Sequence, residues 1–394
     1  MSEMGAAHDA GVAVDGTSTV WVAIAYAALD IRGLDTAAQR GIECMVLPTL
    51  PCDEPIGLHG DAAELWMQMV DGPVADAILT DPQRALAREF AEFGLASQNP
   101  DHPARVTAVA APWLSSPLHE MLYALVHSAA FERGIELVFI KGPALHRQGL
   151  RDREHSADID VLVDPRRISE LQEALSPWGW IVRHILWDVT DLSHSVTLAP
   201  TMWGCEIDLH RRFPGVGLGD DEAFAVVRDS AEQMEFAAVK APVAEPLVNG
   251  LFSALHFARP APPGQRPHSG GPEEAVGVLR RCGAGVIGIA DRLGADAALE
   301  PHLRRAFPEE TIVVTNPLPF NWTWLTQPTR ARYYLAALAH VRWPDKPRLV
   351  KRLLWPTQSD VGERDEGAEP GGSALSVRDR LARLGRIFAA FRRS

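Results

Sequence analysis

Two aspartates, Asp158 and Asp160, stand at the entrance of the apolar run Val161-Leu162-Val163. That run reads as a buried strand. Strand side chains alternate faces, so residues i and i+2 point the same way. The two carboxylates are therefore expected side by side. Like charges that close destabilise each other unless something neutralises them. A hard divalent cation such as Mg²⁺ does so, and it prefers carboxylate oxygens. On this reading Asp160→Asn relieves repulsion and leaves the unliganded protein no less stable. A second group lies in Cys205-Glu206-Ile207-Asp208-Leu209-His210. Read as a strand, it puts Glu206, Asp208 and His210 on one face and the apolar side chains on the other. Pairing of this strand beside the first brings three carboxylates together. That suits metal-assisted phosphoryl or nucleotidyl transfer.

The elements that must hold these groups follow from local signals. Ser116-Pro117 starts a helix, with Ser at the cap and Pro in the first turn, and Gly134 stops it. Glu136–Ile140 reads as a strand, and Lys141-Gly142 turns into a short helix over 143–149. After the 158–163 strand, Asp164-Pro165 starts a helix to about Leu175, and strands are expected over 179–186, 194–199 and 204–210. This order implies a mixed sheet with helices packed on it. Lys141 is placed to hold a phosphate where the following helix offers free N–H groups. Its plainer reading is a surface lysine at a strand end. His210 is a substrate contact or base near neutral pH, or else an orienting partner of Asp208.

Lys141-Gly142-Pro143-Ala144-Leu145, Asp158-Ile159-Asp160-Val161-Leu162-Val163 and Ile207-Asp208-Leu209-His210, in that order, resemble a bacterial nucleotidyltransferase family within the polymerase-beta-like superfamily. The resemblance is clearest over about 115–215. A fainter echo continues through Ala254-Leu255-His256, Ile289-Ala290-Asp291-Arg292-Leu293 and Leu354-Trp355-Pro356. It implies Asp158, Asp160 and Asp208 as catalytic and metal-binding carboxylates, with Glu206 competing for the third place. It implies two Mg²⁺ ions and a nucleoside triphosphate such as ATP as co-substrate. Lys141, Gly142, Arg151, Arg153 and His210 are the residues it assigns to the nucleotide. Superfamily members commonly carry Gly-Ser after the first strand. Here Pro143 follows Gly142, so that serine contact is missing.

Across 394 residues, 46% are hydrophobic, which is ordinary for a globular chain with two or three packed units. The net charge of −13 argues against a general polyanion binder. Nucleic acid is thus not favoured as a partner, although a local basic groove still admits a tRNA end. Four scattered cysteines, Cys44, Cys52, Cys205 and Cys282, form no Cys-x-x-Cys pair. They read as reduced thiols of a cytoplasmic protein rather than a zinc site or disulfide scaffold. The apolar run Val20–Leu29 is too short to span a bilayer, so no stable membrane insertion is expected, and it reads as a buried helix.

The fold class expected is α+β: a nucleotidyltransferase-like mixed sheet with flanking helices, plus helical N-terminal and C-terminal regions. The divisions are a disordered 1–17, a helical 18–114 and a catalytic core over 115–235. A helical 236–358 follows, then an acidic linker over 359–374 and a basic amphipathic helix over 375–394. The function expected is Mg²⁺-dependent transfer of a nucleoside monophosphate to an acceptor hydroxyl. A small molecule, a peptide or protein and a tRNA end all fit as acceptor. A non-catalytic nucleotide- or partner-binding module on the same fold is the alternative, and Pro143 supports it.

Overall fold

The structure is a computed structural model that describes residues 19–34, 40–184, 187, 190, 192–263 and 270–354. The expected disordered start, acidic linker and basic terminal helix lie outside the described residues. Two compact units are present, one within Met1–Leu50 and Ile56–Ala110, the other within Pro51–Pro55 and Ala111–Ser394.

The first unit contains β1 (Val20–Ala23), β2 (Ala27–Asp30), β3 (Cys44–Leu47), β4 (Ile56–Leu58), α1 (Gly60–Asp71), β5 (Val74–Ala75), α2 (Asp81–Glu92) and β6 (Ala96–Ser97). Its strands form two three-stranded sheets, β5-β1-β6 and β2-β3-β4. The helix expected over 18–47 is therefore wrong. Val20–Leu29 is an uninterrupted apolar run, and its length and periodicity do not separate a buried strand from a buried helix. Tertiary packing decides. Trp21, Val46, Trp66 and Met69 share one core, with strands supplying the first two and α1 the others. α2 is helical as expected, closed by a capping box in which Thr80 and Gln83 satisfy each other's backbone N–H groups.

The second unit is α+β, as expected. It runs α3 (Pro117–Glu132), β7 (Leu137–Ile140), α4 (Gly142–Arg147), β8 (Asp158–Val163), α5 (Ile168–Leu175), β9 (Trp180–Arg183), β10 (Ser195–Pro200), β11 (Glu206–His210), α6 (Asp220–Asp229), β12 (Glu232–Phe236) and β13 (Val239–Val243). Helices α7 (Pro246–Ala258), α8 (Gly271–Cys282), α9 (Gly285–Arg292), α10 (Asp296–Ala306), α11 (Phe320–Thr323), α12 (Arg330–His340) and α13 (Lys346–Leu354) follow. The seven strands lie in the order β12-β13-β7-β8-β11-β10-β9. The β12–β13 hairpin carries the sheet to Val243, beyond the expected limit at 235. Helices α8 and α9 are separated at Gly283, whose φ of 76° suits glycine.

Strand β8 sits at the centre, antiparallel to β7 and parallel to β11. From Ile159 to Val163 it is wholly buried, which explains its unbroken apolar run. A hydrophobic core joins Val138, Ile140 and Leu162 of the sheet to Val248, Leu251 and Leu255 of α7 and to residues of α8–α10.

Candidate metal and nucleotide site

Parallel pairing of β8 with β11 sets Asp158 opposite Glu206, and Asp160 opposite Asp208. Residues paired across a parallel ladder share a face, as do i and i+2 along each strand. Asp158, Asp160, Glu206 and Asp208 thus lie on one side of the sheet. Asp160, Asp208 and His210 form a tight group, with one ligand atom from each within 4.8 Å of the others. Asp158 does not belong to that tight group, although it flanks it by one step of β8.

Asp160 is buried and already neutralised within the protein. Lys141 Nζ lies 2.6 Å from its Oδ1, and His210 Nε2 lies 2.8 Å from the same oxygen. Burial alone pushes the Asp160 carboxyl up. The charge of Lys141 and the His210 hydrogen bond outweigh it and hold the group well below the usual carboxylate range. The ionised carboxylate only accepts, so His210 Nε2–H donates. His210 orients Asp160, not Asp208 as its plainer sequence reading had it. The expected tolerance of Asp160→Asn is corrected too, because the side chain is a partner of two donors rather than an unrelieved repulsion.

Lys141 reaches Asp160 from an unusual backbone. Its φ is 54° and Gly142 follows at the same value, a region that residues with a Cβ seldom occupy. The Lys141 N–H donates to Oδ1 of Asn249, an amide buried in the apolar helix α7. Asn249 Nδ2 in turn donates to Gln148 Oε1 at 2.7 Å, and Gln148 Nε2 to the Ala244 carbonyl at 2.8 Å. This chain ties the strand-to-helix turn to β13 and α7. At Gly142 a Cβ would collide with the Tyr123 hydroxyl, so the turn requires glycine there.

Asp208 is half-buried and accepts a 2.5 Å hydrogen bond from Thr197 Oγ1 on the neighbouring β10. Asp158 accepts from Ser156 Oγ at 3.1 Å. Its carboxyl is pushed up, first by burial and then by the Asp160 charge, with Lys141 opposing. Glu206 points its charge to Arg183 of β9 and stands outside the tight group. Arg151 spends its guanidinium on the Arg153 and Glu154 carbonyls at 2.8 and 2.9 Å, which shapes the loop into β8. Arg153 is exposed.

The donor set suits a hard divalent cation. Four carboxylates share a face, and Asp158 is held in a setting that disfavours its charge, which a cation would relieve. Thr197 and Asn249 are the positioning residues that sequence reasoning missed. The signals were present: a hydroxyl on an alternating strand, and a lone amide inside Leu247-Val248-Asn249-Gly250-Leu251.

No family model matches the chain, and no curated protein matches its sequence. Among solved structures, the antibiotic-resistance factor ANT(2'')-Ia superposes with a TM-score of 0.33 at 19% identity, over 47% of this chain and 97% of that one. An antigenic nucleotidyltransferase-like protein from Paracoccidioides brasiliensis superposes with a TM-score of 0.32 at 11% identity, over 52% of this chain and 91% of that one. Among the described residues no helix is long and apolar enough to cross a membrane.

Proposed function

We propose that the chain is a divalent-metal-dependent nucleotidyltransferase that moves a nucleoside monophosphate from a nucleoside triphosphate to an acceptor hydroxyl. The observation that carries this reading is the parallel register of β8 and β11, which sets Asp160 against Asp208 with Asp158 one step along the same face. Asp158, Asp160 and Asp208 would hold the cations, with Mg²⁺ the expected ion. When bound, the ions supply neutralisation of the triphosphate and polarisation of the attacked phosphorus. Asp208, steadied by Thr197, favours removal of the acceptor proton. The acceptor oxygen bonds to the α-phosphorus as the bond to the β-phosphate bridge breaks, and pyrophosphate leaves with that electron pair. His210 and the Asn249-held Lys141 keep Asp160 ionised and oriented. An ammonium that moved from Asp160 to a phosphate would serve the nucleotide directly.

The non-catalytic module has one observation in its favour. Lys141 is engaged by Asp160 and Pro143 brings no hydroxyl, so two of the expected phosphate contacts are not on offer. Label transfer separates the readings. Wild-type protein given α-labelled nucleoside triphosphates and a cell extract is expected to label an acceptor in a Mg²⁺-dependent way. No transfer with any of the four nucleotides would favour the module.

A further inference from the structure

Beyond His210, on the side away from Asp158, the second unit gathers Arg211, Arg212 and Arg259, and among the described residues only Asp220 pairs with any of them. Arg259 closes helix α7 and is half-buried. Among the described residues no carboxylate pairs with it. Its hydrogen bond runs from Nη1 to His194 Nε2 at 3.2 Å. A guanidinium only donates, so His194 accepts and is not a counter-charge. Arg211 and Arg212 both approach the same Asp220 oxygen, at 3.1 and 2.8 Å, leaving two cations on one acid. Arg212 Nε is buried with no partner, and so is His210 Nδ1.

These groups are contiguous with the carboxylates. The His194 and His210 rings are 5.7 Å apart, and His210 bonds Asp160. The backbone N–H groups of Arg211 and Arg212 both reach the His194 carbonyl, at 3.0 and 3.4 Å. Burial first, and then the charge of Arg259, holds His194 well below its ordinary range, so the imidazole stays neutral. Taking part of a guanidinium out of water without an acid beside it is costly. The Arg212 Nε–H, buried without an acceptor, adds to that cost. An anion with several oxygens would remove both.

We infer that Arg259, Arg212 and His194 form a polyphosphate subsite beside the carboxylates, and that it receives the β- and γ-phosphates of the nucleoside triphosphate. This assignment rests on the nucleotidyl-transfer reading for its place in the reaction. Arg259 supplies a planar donor fork matched to phosphate oxygens, with its orientation set by His194. As the α-phosphorus bond to the bridging oxygen breaks, the electron pair goes to the departing pyrophosphate. Fixed cations at that position stabilise the growing charge. The subsite supplies the phosphate contacts that Pro143 and the Asp160-bound Lys141 do not.

The test is calorimetric titration of the full-length protein with sodium tripolyphosphate in the absence of metal, followed by nucleotide KM measurements. Wild type is expected to bind tripolyphosphate. Arg259→Gln should weaken binding at least tenfold, and Arg259→Lys by a smaller factor, since it keeps the charge and loses the fork. Arg305→Gln, at an exposed pair with Glu273, should change nothing. If Arg259→Gln fails to fold, Arg259→Lys and Arg212→Gln decide the matter. Absence of wild-type binding, unchanged binding in these variants, or orthophosphate binding as tight as tripolyphosphate would overturn the assignment. Arg259-dependent tripolyphosphate binding in a protein that transfers no nucleotide would sustain the subsite and defeat the proposed reaction. Transfer with an unaltered nucleotide KM in Arg259→Lys would do the reverse.

Discussion

Two rungs of the β8–β11 ladder, two residues apart on one face, handle charge in opposite ways. At the inner rung, Asp160 and Asp208 are served by Lys141, His210 and Thr197. At the outer rung, Asp158 accepts from the Ser156 hydroxyl, and Glu206 turns to Arg183. The Asp160 carboxyl is consequently held down and the Asp158 carboxyl is pushed up. The difference teaches where a cation is needed. The inner rung is assembled by the fold itself, whereas the outer rung carries a charge that the fold leaves to a ligand.

The largest effect expected from breaking this contrast is on chemistry. Asp208→Ala should cut label transfer by about 10²–10⁴-fold, the usual reach of general acid–base assistance. Binding of Mg²⁺–nucleotide should persist, as steady-state kinetics beside calorimetry would reveal. Equal loss of binding and transfer would move Asp208 to the nucleotide side.

Next comes stability at the inner rung. Asp160→Asn strands the buried Lys141 ammonium, and breaking one side of such a pair costs about 3–5 kcal/mol. Urea denaturation at neutral pH measures it. The sign with pH follows from the lowered carboxyl. Its contribution is present above the unfolded value of 3.8 and is lost as pH falls through the lower folded value. The acid limb of the wild-type stability curve should therefore flatten in Asp160→Asn. A variant as stable as wild type would mean that Lys141 finds solvent without cost.

The outer rung should respond with the opposite sign. Asp158→Asn removes a carboxylate whose folded value is raised, a group that costs stability once pH rises past that value. The unliganded variant is expected to gain stability at neutral pH, and to lose Mg²⁺-induced stabilisation. Paired thermal melts with and without the ion would test both. The smallest effect belongs to Glu206→Gln, which breaks a partly exposed ion pair worth ~0–1 kcal/mol and should leave transfer unchanged. A large loss of transfer there would install Glu206 as the third carboxylate.

The carboxylate face was legible because a strand's period of two needs no knowledge of the rest of the chain. Asp158, Asp160 and Asp208 declare their faces from their neighbours alone. Partners set by distant segments were not legible. His210 chooses Asp160 because β11 runs parallel to β8, and Lys141 is fixed by Asn249, 108 residues away. The hairpin Glu232–Val243 was missed because β12 is largely exposed and polar, without an apolar alternation to betray it. The first unit was misread for a physical reason. Short alanine-rich runs such as Ala27–Asp30 carry no decisive period, and packing against Trp66 and Met69 settles their form.

The central claim is that the β8–β11 face binds a nucleoside triphosphate through a divalent cation. Calorimetric titration of each nucleoside triphosphate into the full-length protein, with and without Mg²⁺, tests it most directly. The account predicts binding that Mg²⁺ strengthens, that survives Asp208→Ala and that loses its Mg²⁺ dependence in a folded Asp158→Asn variant. Nucleotide binding of equal strength without the ion, or untouched by Asp158→Asn, would contradict it.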